Sequence, residues 1–390
     1  LHSQNIAQLF SHQAEAFSRV SEGANVVLAT GTASGKTLAY NLPVLNYLLK
    51  TPGSTALYLF PTKALAQDQL RTLHTLTDGL MGSTQLFSAI YDGDTPSHAR
   101  SEVRNKASII ISNPDMLHQG ILPHHTLWHK FFRGLRFVVV DEMHTYRGVF
   151  GSHIANLFRR LKRIAAFYGS YPQFILTSAT IGNPLELARN LIENPAVLID
   201  QDGSPHGERH FLVYNPPMVD QQLGLRKSSL QTGITFTQKL LAGGHQTLVF
   251  ARTRRTVEMI LTYMRDQMPL TYHSLVRGYR SGYLKSDRRE IETGLKLGTV
   301  KAVVATSALE LGIDIGDLES VILVGYPGSI ATTRQRAGRA GRRKQSSLAI
   351  LIATPDAMDQ YLANHSAYLT DHNPEEALID ANNLSILLQH

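Results

Sequence analysis

Three groups of side chains in this 390-residue chain have the types and spacing to do chemistry together. The first is Gly35-Lys36-Thr37, which closes a turn of small residues from Thr30. An apolar run, Val26 to Ala29, leads in, and a helical pattern (Leu38, Leu42, Leu45, Leu49) leads out. Strand, small-residue turn and helix, in that order, make a phosphate cradle. Small side chains let backbone N–H groups converge, and the helix start adds partial positive charge. Lys36 then meets the β- and γ-phosphates, and the Thr37 hydroxyl suits Mg²⁺. Thr32, Ala33, Ser34 and Gly35 line the turn. The strict pattern asks for Gly where this chain has Thr30, so a flexible Gly/Ser turn ahead of a helix is the alternative.

The second group is Asp141-Glu142-Met143-His144, at the end of an almost purely apolar run from Phe137 to Val140. Two carboxylates at the end of a buried strand are costly unless a metal or a proton transfer uses them. Asp141 fits as the Mg²⁺ partner, and Glu142 as the base that orients an attacking water. The alternative is an acidic pair opening a helix. The third group is Gln335-Arg-Ala-Gly-Arg-Ala-Gly-Arg342. Its spacing predicts that Arg339 and Arg342 project from one helix face, where guanidinium groups suit the spread charge of phosphoryl transfer. A basic helix used for surface contacts is the alternative.

The elements that position these groups are short apolar runs alternating with helical patterns. Ala56–Phe60, Ser108–Ser112, Gln173–Leu176, Gln246–Phe250, Lys301–Ala305 and Val321–Gly325 read as buried strands. The fold class is α/β with parallel sheets. Leu1 to Ser21 reads as amphipathic turns with Phe10, Ala14 and Phe17 on one side, and Gln13 offers an amide either to adenine or to solvent. Pro61-Thr62-Lys63 is either a phosphate-backbone contact or an ordinary strand–helix turn. Asn113 and Asp115 either cap a helix or touch a nucleic-acid strand. The hydroxyls of Thr177, Ser178 and Thr180, at a strand end beside the acidic pair, are placed to sense a nucleotide's state. Leu225 to Leu241 reads as helix, and Arg252 and Thr253 as phosphate contacts or solvated helix-start charges. Arg277 to Arg289 mixes cations, Arg280 among them, with Tyr279 and Tyr283, which suits either single-stranded nucleic acid or a mobile basic loop. Asp314 has the chemistry to accept from a ribose hydroxyl.

Composition adds loose bounds. The length favours two domains, and Gln201–Gly207, rich in turn formers, marks the boundary. No run approaches the roughly 18 apolar residues of a membrane span, and no signal-peptide pattern opens the chain, so no membrane partner is expected. Absence of Cys rules out disulfides and thiolate metal sites, in keeping with a cytoplasmic protein. The net charge of +7 attracts nucleic acid without being specific for it.

Set together, the motifs resemble those of superfamily 2 helicases. ATGTASGKT is similar to motif I, PTKALA to motif Ia, DEMH to the DExH form of motif II, SAT (178–180) to motif III, TSALELGID to motif V and QRAGRAGR to motif VI. FSHQAEA, DEMHTYRGVFGSH, YRSGYL and DHNPEEALID further resemble the MrfA/YprA family of DNA-repair helicases, which has fungal relatives related to the RecQ group. The resemblance implies two tandem RecA-like parallel-sheet domains, 1–203 and 204–370, with ATP and Mg²⁺ in the cleft between them and 371–390 starting a further region. It implies ATP contacts from Gln13, Thr32 to Thr37, Gly312 and Asp314, with Thr37 and Asp141 on Mg²⁺. Lys36, Asp141, Glu142, Gln335, Arg339 and Arg342 would be catalytic. Pro61, Thr62, Lys63, Asn113, Asp115, Arg252, Thr253, Arg280 and Thr306 would hold nucleic acid, and His144, Ser178 and Thr180 would couple the two events.

The activity implied is 3′–5′ translocation on single-stranded DNA, or on DNA with a 3′ single-stranded tail. Other repair proteins are possible partners, and a bacterial protein would be nucleoid-associated. Two departures stand out. Ala33 replaces a Gly common in motif I, and the family's four-Cys zinc region has no counterpart in a chain without Cys. An RNA helicase, or a nucleic-acid-binding module without motor activity, are the competing readings.

Overall fold

The computed structural model describes residues 6–78, 86–205, 207–280, 282–311, 316, 318–341 and 346–390. The chain forms two units. One comprises residues up to Ser204 together with Glu376–His390, and the other Pro205–Glu375.

The first unit is built on seven strands: β1 (Val26–Leu28), β2 (Thr55–Leu59), β3 (Ser88–Ile90), β4 (Ile109–Ser112), β5 (Leu135–Val140), β6 (Gln173–Thr177) and β7 (Val197–Ile199). Their order is β3-β4-β2-β5-β6-β1-β7, and every pairing is parallel. Strands such as β2 and β6 are buried along their whole length, which is why they read as unbroken apolar runs rather than alternation. Helix α1 (Ser11–Ser21) precedes β1, and helices α2 (Lys36–Lys50) and α3 (Lys63–Thr77) lie in crossovers between strands. In such a sheet the loops at the carboxyl ends of the strands are where ligands bind. The turns after β1, β2, β4, β5 and β6 carry Thr30–Lys36, Pro61–Lys63, Asn113–Asp115, Asp141–His144 and Ser178–Thr180 respectively.

The second unit repeats the architecture. β8 (Arg209–Tyr214), β11 (Thr247–Ala251), β12 (Val276–Tyr279), β13 (Ala302–Ala305), β14 (Ser320–Val324) and β15 (Ser347–Ile352) form a parallel sheet in the order β12-β13-β11-β14-β15-β8. Val249, Val304, Ile322 and Ile352 pack with Val257, Ile260 and Met264 of the helix Arg254–Gln267 in its core. A small antiparallel pair, β9 (Met218–Asp220) and β10 (Leu225–Arg226), precedes the helix Ser229–Ala242.

Three expectations are corrected. The helix expected from Leu225 begins only at Ser229, because Leu225 and Arg226 pair with β9 and Ser228 supplies the cap, its hydroxyl accepting from the Gln231 N–H. Helix α1 buries His12, Gln13, Ala16 and Val20, whereas Ala14 is exposed, since its polar residues are the ones engaged with the neighbouring turn. The helix carrying Gln335 spans Ile330–Ala337, so Arg339 lies beyond it, and one shared helix face with Arg342 is ruled out. Gly338 caps that helix, and Gly341 takes a φ of +84°, a left-handed turn that ends any continuation. Arg342, Gly312 and Asp314 lie outside the described residues. No helix among the described residues is long and apolar enough to cross a membrane.

Candidate nucleotide and nucleic-acid sites

The turn between β1 and α2 is shaped by two left-handed residues, Ala33 (φ +62°) and Gly35 (φ +81°). Alternating right- and left-handed residues curl successive N–H groups toward one point, the concavity that anions prefer. Gly is required at position 35. A Cβ there would stand 2.5 Å from the Gln13 amide nitrogen. Ala33 holds the same kind of conformation with a side chain, at a cost of about 1–2 kcal/mol that the surrounding structure must over-determine.

Much of that support comes from α1. Gln13 accepts the Phe10 N–H (3.0 Å) and donates to the Gly35 carbonyl (3.1 Å). His12 is buried beside it. Its Nε2–H donates to the Ser34 carbonyl (2.9 Å), and its Nδ1 accepts the Gly203 N–H (3.2 Å), which fixes one neutral tautomer. Burial holds the His12 pKa below its ordinary 6.5, against the pull of Asp202. Ser34 and Thr30 share a hydroxyl–hydroxyl bond of 2.7 Å. The Lys36 ammonium folds across the turn onto the carbonyls of Thr30 (2.8 Å) and Gly31 (2.7 Å). Thr32 and Thr37 are half-buried on the same turn.

The acidic pair is set by strand register. Val140 lies opposite Leu176, and Leu28 opposite Thr177, so Asp141 emerges beside Thr177. The Thr177 hydroxyl donates to Asp141 Oδ1 and accepts the Glu142 N–H (3.2 Å). Burial, and then the neighbouring Glu142 charge, push the Asp141 carboxyl up to about 7, while the Thr177 bond and the Lys36 charge pull it back down. The half-buried Asp141 carboxylate offers an oxygen ligand suited to a hard cation such as Mg²⁺. Glu142 is 8 % exposed and left-handed (φ +52°). His144 Nδ1 lies 3.4 Å from Glu142 Oε2 and accepts the Ala179 N–H (3.1 Å), so it touches both the DEMH and SAT segments. Ser178 is fully buried and Thr180 exposed.

Several expected nucleic-acid residues serve first as helix starts. Thr62 caps α3, accepting the Leu65 N–H (3.4 Å), just past Pro61. Asn113 accepts the Met116 N–H (2.8 Å), and Thr253 the Thr256 N–H (3.1 Å). Lys63 pairs with Asp94 (3.0 Å), Arg252 with Asp356 (3.4 Å) and Arg280 with Glu258 (2.8 Å). Asp115 is exposed, and Thr306 half-buried at the end of β13. One concave surface of the first unit gathers Lys63, Asn113 and Asp115 with Arg100, Arg104 and Trp128. The sequence pattern does not single out the two arginines, which lie on the helix Ser97–Lys106 away from any recognised motif. It also left His12 unremarked, next to Gln13. A buried chain of bonds also ties together three elements of this unit. Tyr40 donates to Gln69 (3.0 Å), and Gln69 and Tyr58 both donate to Asn41 (3.0 Å), tying α2 to α3 and β2.

In the second unit, Arg339 is 3 % exposed and donates from Nε to the Glu310 carbonyl (3.1 Å). Arg336 makes a two-point pair with the Glu310 carboxylate (3.0 and 2.7 Å) and lies over the Phe250 ring. Gln335 is 6 % exposed, and its amide nitrogen has no hydrogen-bond partner among the described residues. An orphaned buried donor is costly, and a phosphate oxygen is the kind of acceptor that would satisfy it.

Two consecutive parallel-sheet units, the first bearing a phosphate loop and an acidic pair, define the class of tandem RecA-like proteins. The DEAD/DEAH box helicase family model matches residues 10–187, and the helicase conserved C-terminal domain matches 232–344. The chain is 49% identical over 391 residues to YprA of Bacillus subtilis, an uncharacterized ATP-dependent helicase, covering all of this chain and 52% of that one. It is 40% identical to the ATP-dependent helicase HRQ1 of Saccharomyces cerevisiae over 98% of this chain and 36% of that one. Among solved structures it is similar to the DUF1998 helicase MrfA bound to DNA and AMPPNP, with a TM-score of 0.94 and 48% identity over all of this chain and 54% of that one. The chain belongs to the superfamily 2 helicases of the MrfA/YprA type. It spans about half the length of YprA and MrfA, and about a third of HRQ1.

Proposed function

We propose that this chain is the motor core of an ATP-dependent DNA helicase or translocase, moving 3′ to 5′ on single-stranded DNA and serving DNA repair. The observation that carries the reading is the arrangement at the carboxyl ends of β1, β5 and β6. There Lys36, Asp141, Glu142 and Thr177 converge on one end of one sheet. When bound, Mg²⁺ would supply charge neutralisation at the phosphates, held by Thr37 and Asp141. Lys36 would exchange its carbonyl partners for phosphate oxygens. Glu142, buried and oriented beside His144, would hold the attacking water and take its proton. Gln335 and Arg339 are donors of the kind phosphoryl transfer uses. Relatives solved with DNA support the choice of polymer.

The test is ATP hydrolysis measured without nucleic acid, with single-stranded DNA and with single-stranded RNA. Stimulation by DNA alone is expected. Stimulation by RNA would promote an RNA helicase, and no hydrolysis at all would leave a binding module.

A further inference from the structure

The DHNPEEALID segment, 371–380, has no part in the chemistry above, yet its side chains and backbone are engaged along most of its length. On the second unit it holds the helix that carries Gln335. Both carboxylate oxygens of Glu375 cap that helix, accepting the N–H groups of Ile330 (2.7 Å) and Ala331 (3.0 Å). A carboxylate on the first N–H groups of a helix satisfies donors that have no partner inside it and meets the positive end of its dipole. From the same helix, Arg334 donates to the carbonyls of Leu369 (3.1 Å), Thr370 (3.0 Å) and His372 (2.9 Å).

Two residues after Glu375 the chain is anchored again, on the first unit. Asn183, three residues past the SAT segment and 8 % exposed, brackets Ala377. It accepts that residue's N–H (2.8 Å) and donates to its carbonyl (3.3 Å). The Gly148 N–H then donates to the Leu378 carbonyl (2.7 Å), the Asp380 N–H to the Ser152 hydroxyl (2.9 Å), and Asn156 and Arg159 to the Ala381 carbonyl (3.0 and 2.8 Å). Gly148 opens the helix Gly148–Phe167, which follows the DEMH segment closely. The chain passes from one unit to the other between Glu375 and Glu376. Only Glu376 therefore separates the two anchors, and the slack is two peptide units, about 7 Å at full stretch.

We propose that residues 369–382 are a short tether. It transmits displacement between the Ile330–Ala337 helix and the stretch that follows the SAT segment, so Glu375 and Asn183 are positioning residues for nucleic-acid-stimulated hydrolysis. The kinetic part rests on the motor reading above. The tether itself does not.

The test uses the whole chain and two readouts. In Asn183→Ala, hydrogen exchange at the Ile330 and Ala331 amides, about 150 positions away in sequence, should quicken by about tenfold or more, because losing one anchor slackens the other. Unchanged exchange there overturns the tether, whatever the chain's activity. In the second readout, Asn183→Ala and Glu375→Ala should each lower DNA-stimulated kcat severalfold while leaving the KM for ATP within about twofold, and the double variant should be no worse than the worse single. Losses that multiply overturn the proposal, since two cuts in one tether cannot act twice. Glu375→Gln keeps an acceptor for one N–H and should retain part of the rate. A wild-type chain that DNA does not stimulate refutes the motor reading, and the exchange experiment then still decides on the tether.

Discussion

The imidazole of His12 and the backbone of Ser34 meet through one hydrogen bond, 2.9 Å from Nε2 to the carbonyl oxygen, which pins the middle of the β1–α2 turn to α1. The other ring nitrogen takes the Gly203 N–H, so a single neutral side chain holds two loops. His12→Gln should lower stability by about 1–3 kcal/mol at pH 7.5, because buried partners lose their bonds. The folded pKa of His12 lies below 6.5, so between the two values the unfolded chain binds the proton and the folded chain does not. Wild-type stability contributed by this group is therefore present above pH 6.5 and falls as the pH drops below it. Urea midpoints measured from pH 7.5 to 5.5 should show the gap between wild type and variant narrowing. A gap that widens toward acid would contradict the assignment of a neutral ring.

Lys36 donates to the carbonyls of Thr30 and Gly31, and the proposed role gives its charge to a phosphate. Lys36→Ala should cut ATP turnover by at least about a hundredfold, as expected when a preorganised charge is removed from the reacting group. DNA affinity, measured by fluorescence anisotropy, should stay nearly unchanged, because the proposed strand contacts lie on other loops. Residual turnover near the wild-type rate would refute the role given to this turn.

Lys63 spends part of its charge on Asp94, 3.0 Å away and about half exposed. A phosphate must compete with that carboxylate. Asp94→Asn should tighten single-stranded DNA binding severalfold at low salt, whereas Lys63→Ala should weaken it and reduce the slope of log affinity against log salt by about one. An Asp94→Asn chain that binds more weakly would remove Lys63 from the strand contacts.

Gln335 leaves a buried amide nitrogen without a partner among the described residues. Gln335→Met, of similar length and apolar, should raise the thermal midpoint, since an orphaned buried donor costs about 1–3 kcal/mol. The same change should depress DNA-stimulated turnover. A variant that loses stability as well as rate would mean that the amide serves the fold alone.

Much of this molecule was legible because its chemistry is local. Lys36 and Thr37 sit at the start of α2, and Asp141 just after the apolar run of β5, as the order of residue types implied. The misreadings have physical causes. Helix α1 turns His12 and Gln13 inward, so an apolar count put Ala14 on the wrong side. The sequence pattern runs the Gln335 helix on to Arg342, but it ends at Gly338, and the left-handed Gly341 bars any continuation. Leu225 looks helical in sequence but pairs with β9. Thr177 reads from sequence as one of the hydroxyls beside the acidic pair, but its bonds to both Asp141 and Glu142 are set by strand register, which no local pattern encodes. The bonds of Asn183 to Ala377 span 194 positions, beyond any local pattern.

The first unit is discontinuous, its closing piece Glu376–His390 arriving after the whole of Pro205–Glu375. A ribosome adding about 5–20 residues per second needs on the order of 10 to 30 seconds to make that intervening stretch. Throughout this interval the nascent first unit has its complete sheet but lacks the cover over Gly151, Asn156 and Asn183, against which Ile379, Ala381 and Ala377 later settle. Birth order thus leaves the surface around Gly151, Asn156 and Asn183 uncovered by this segment for as long as Pro205–Glu375 is being made.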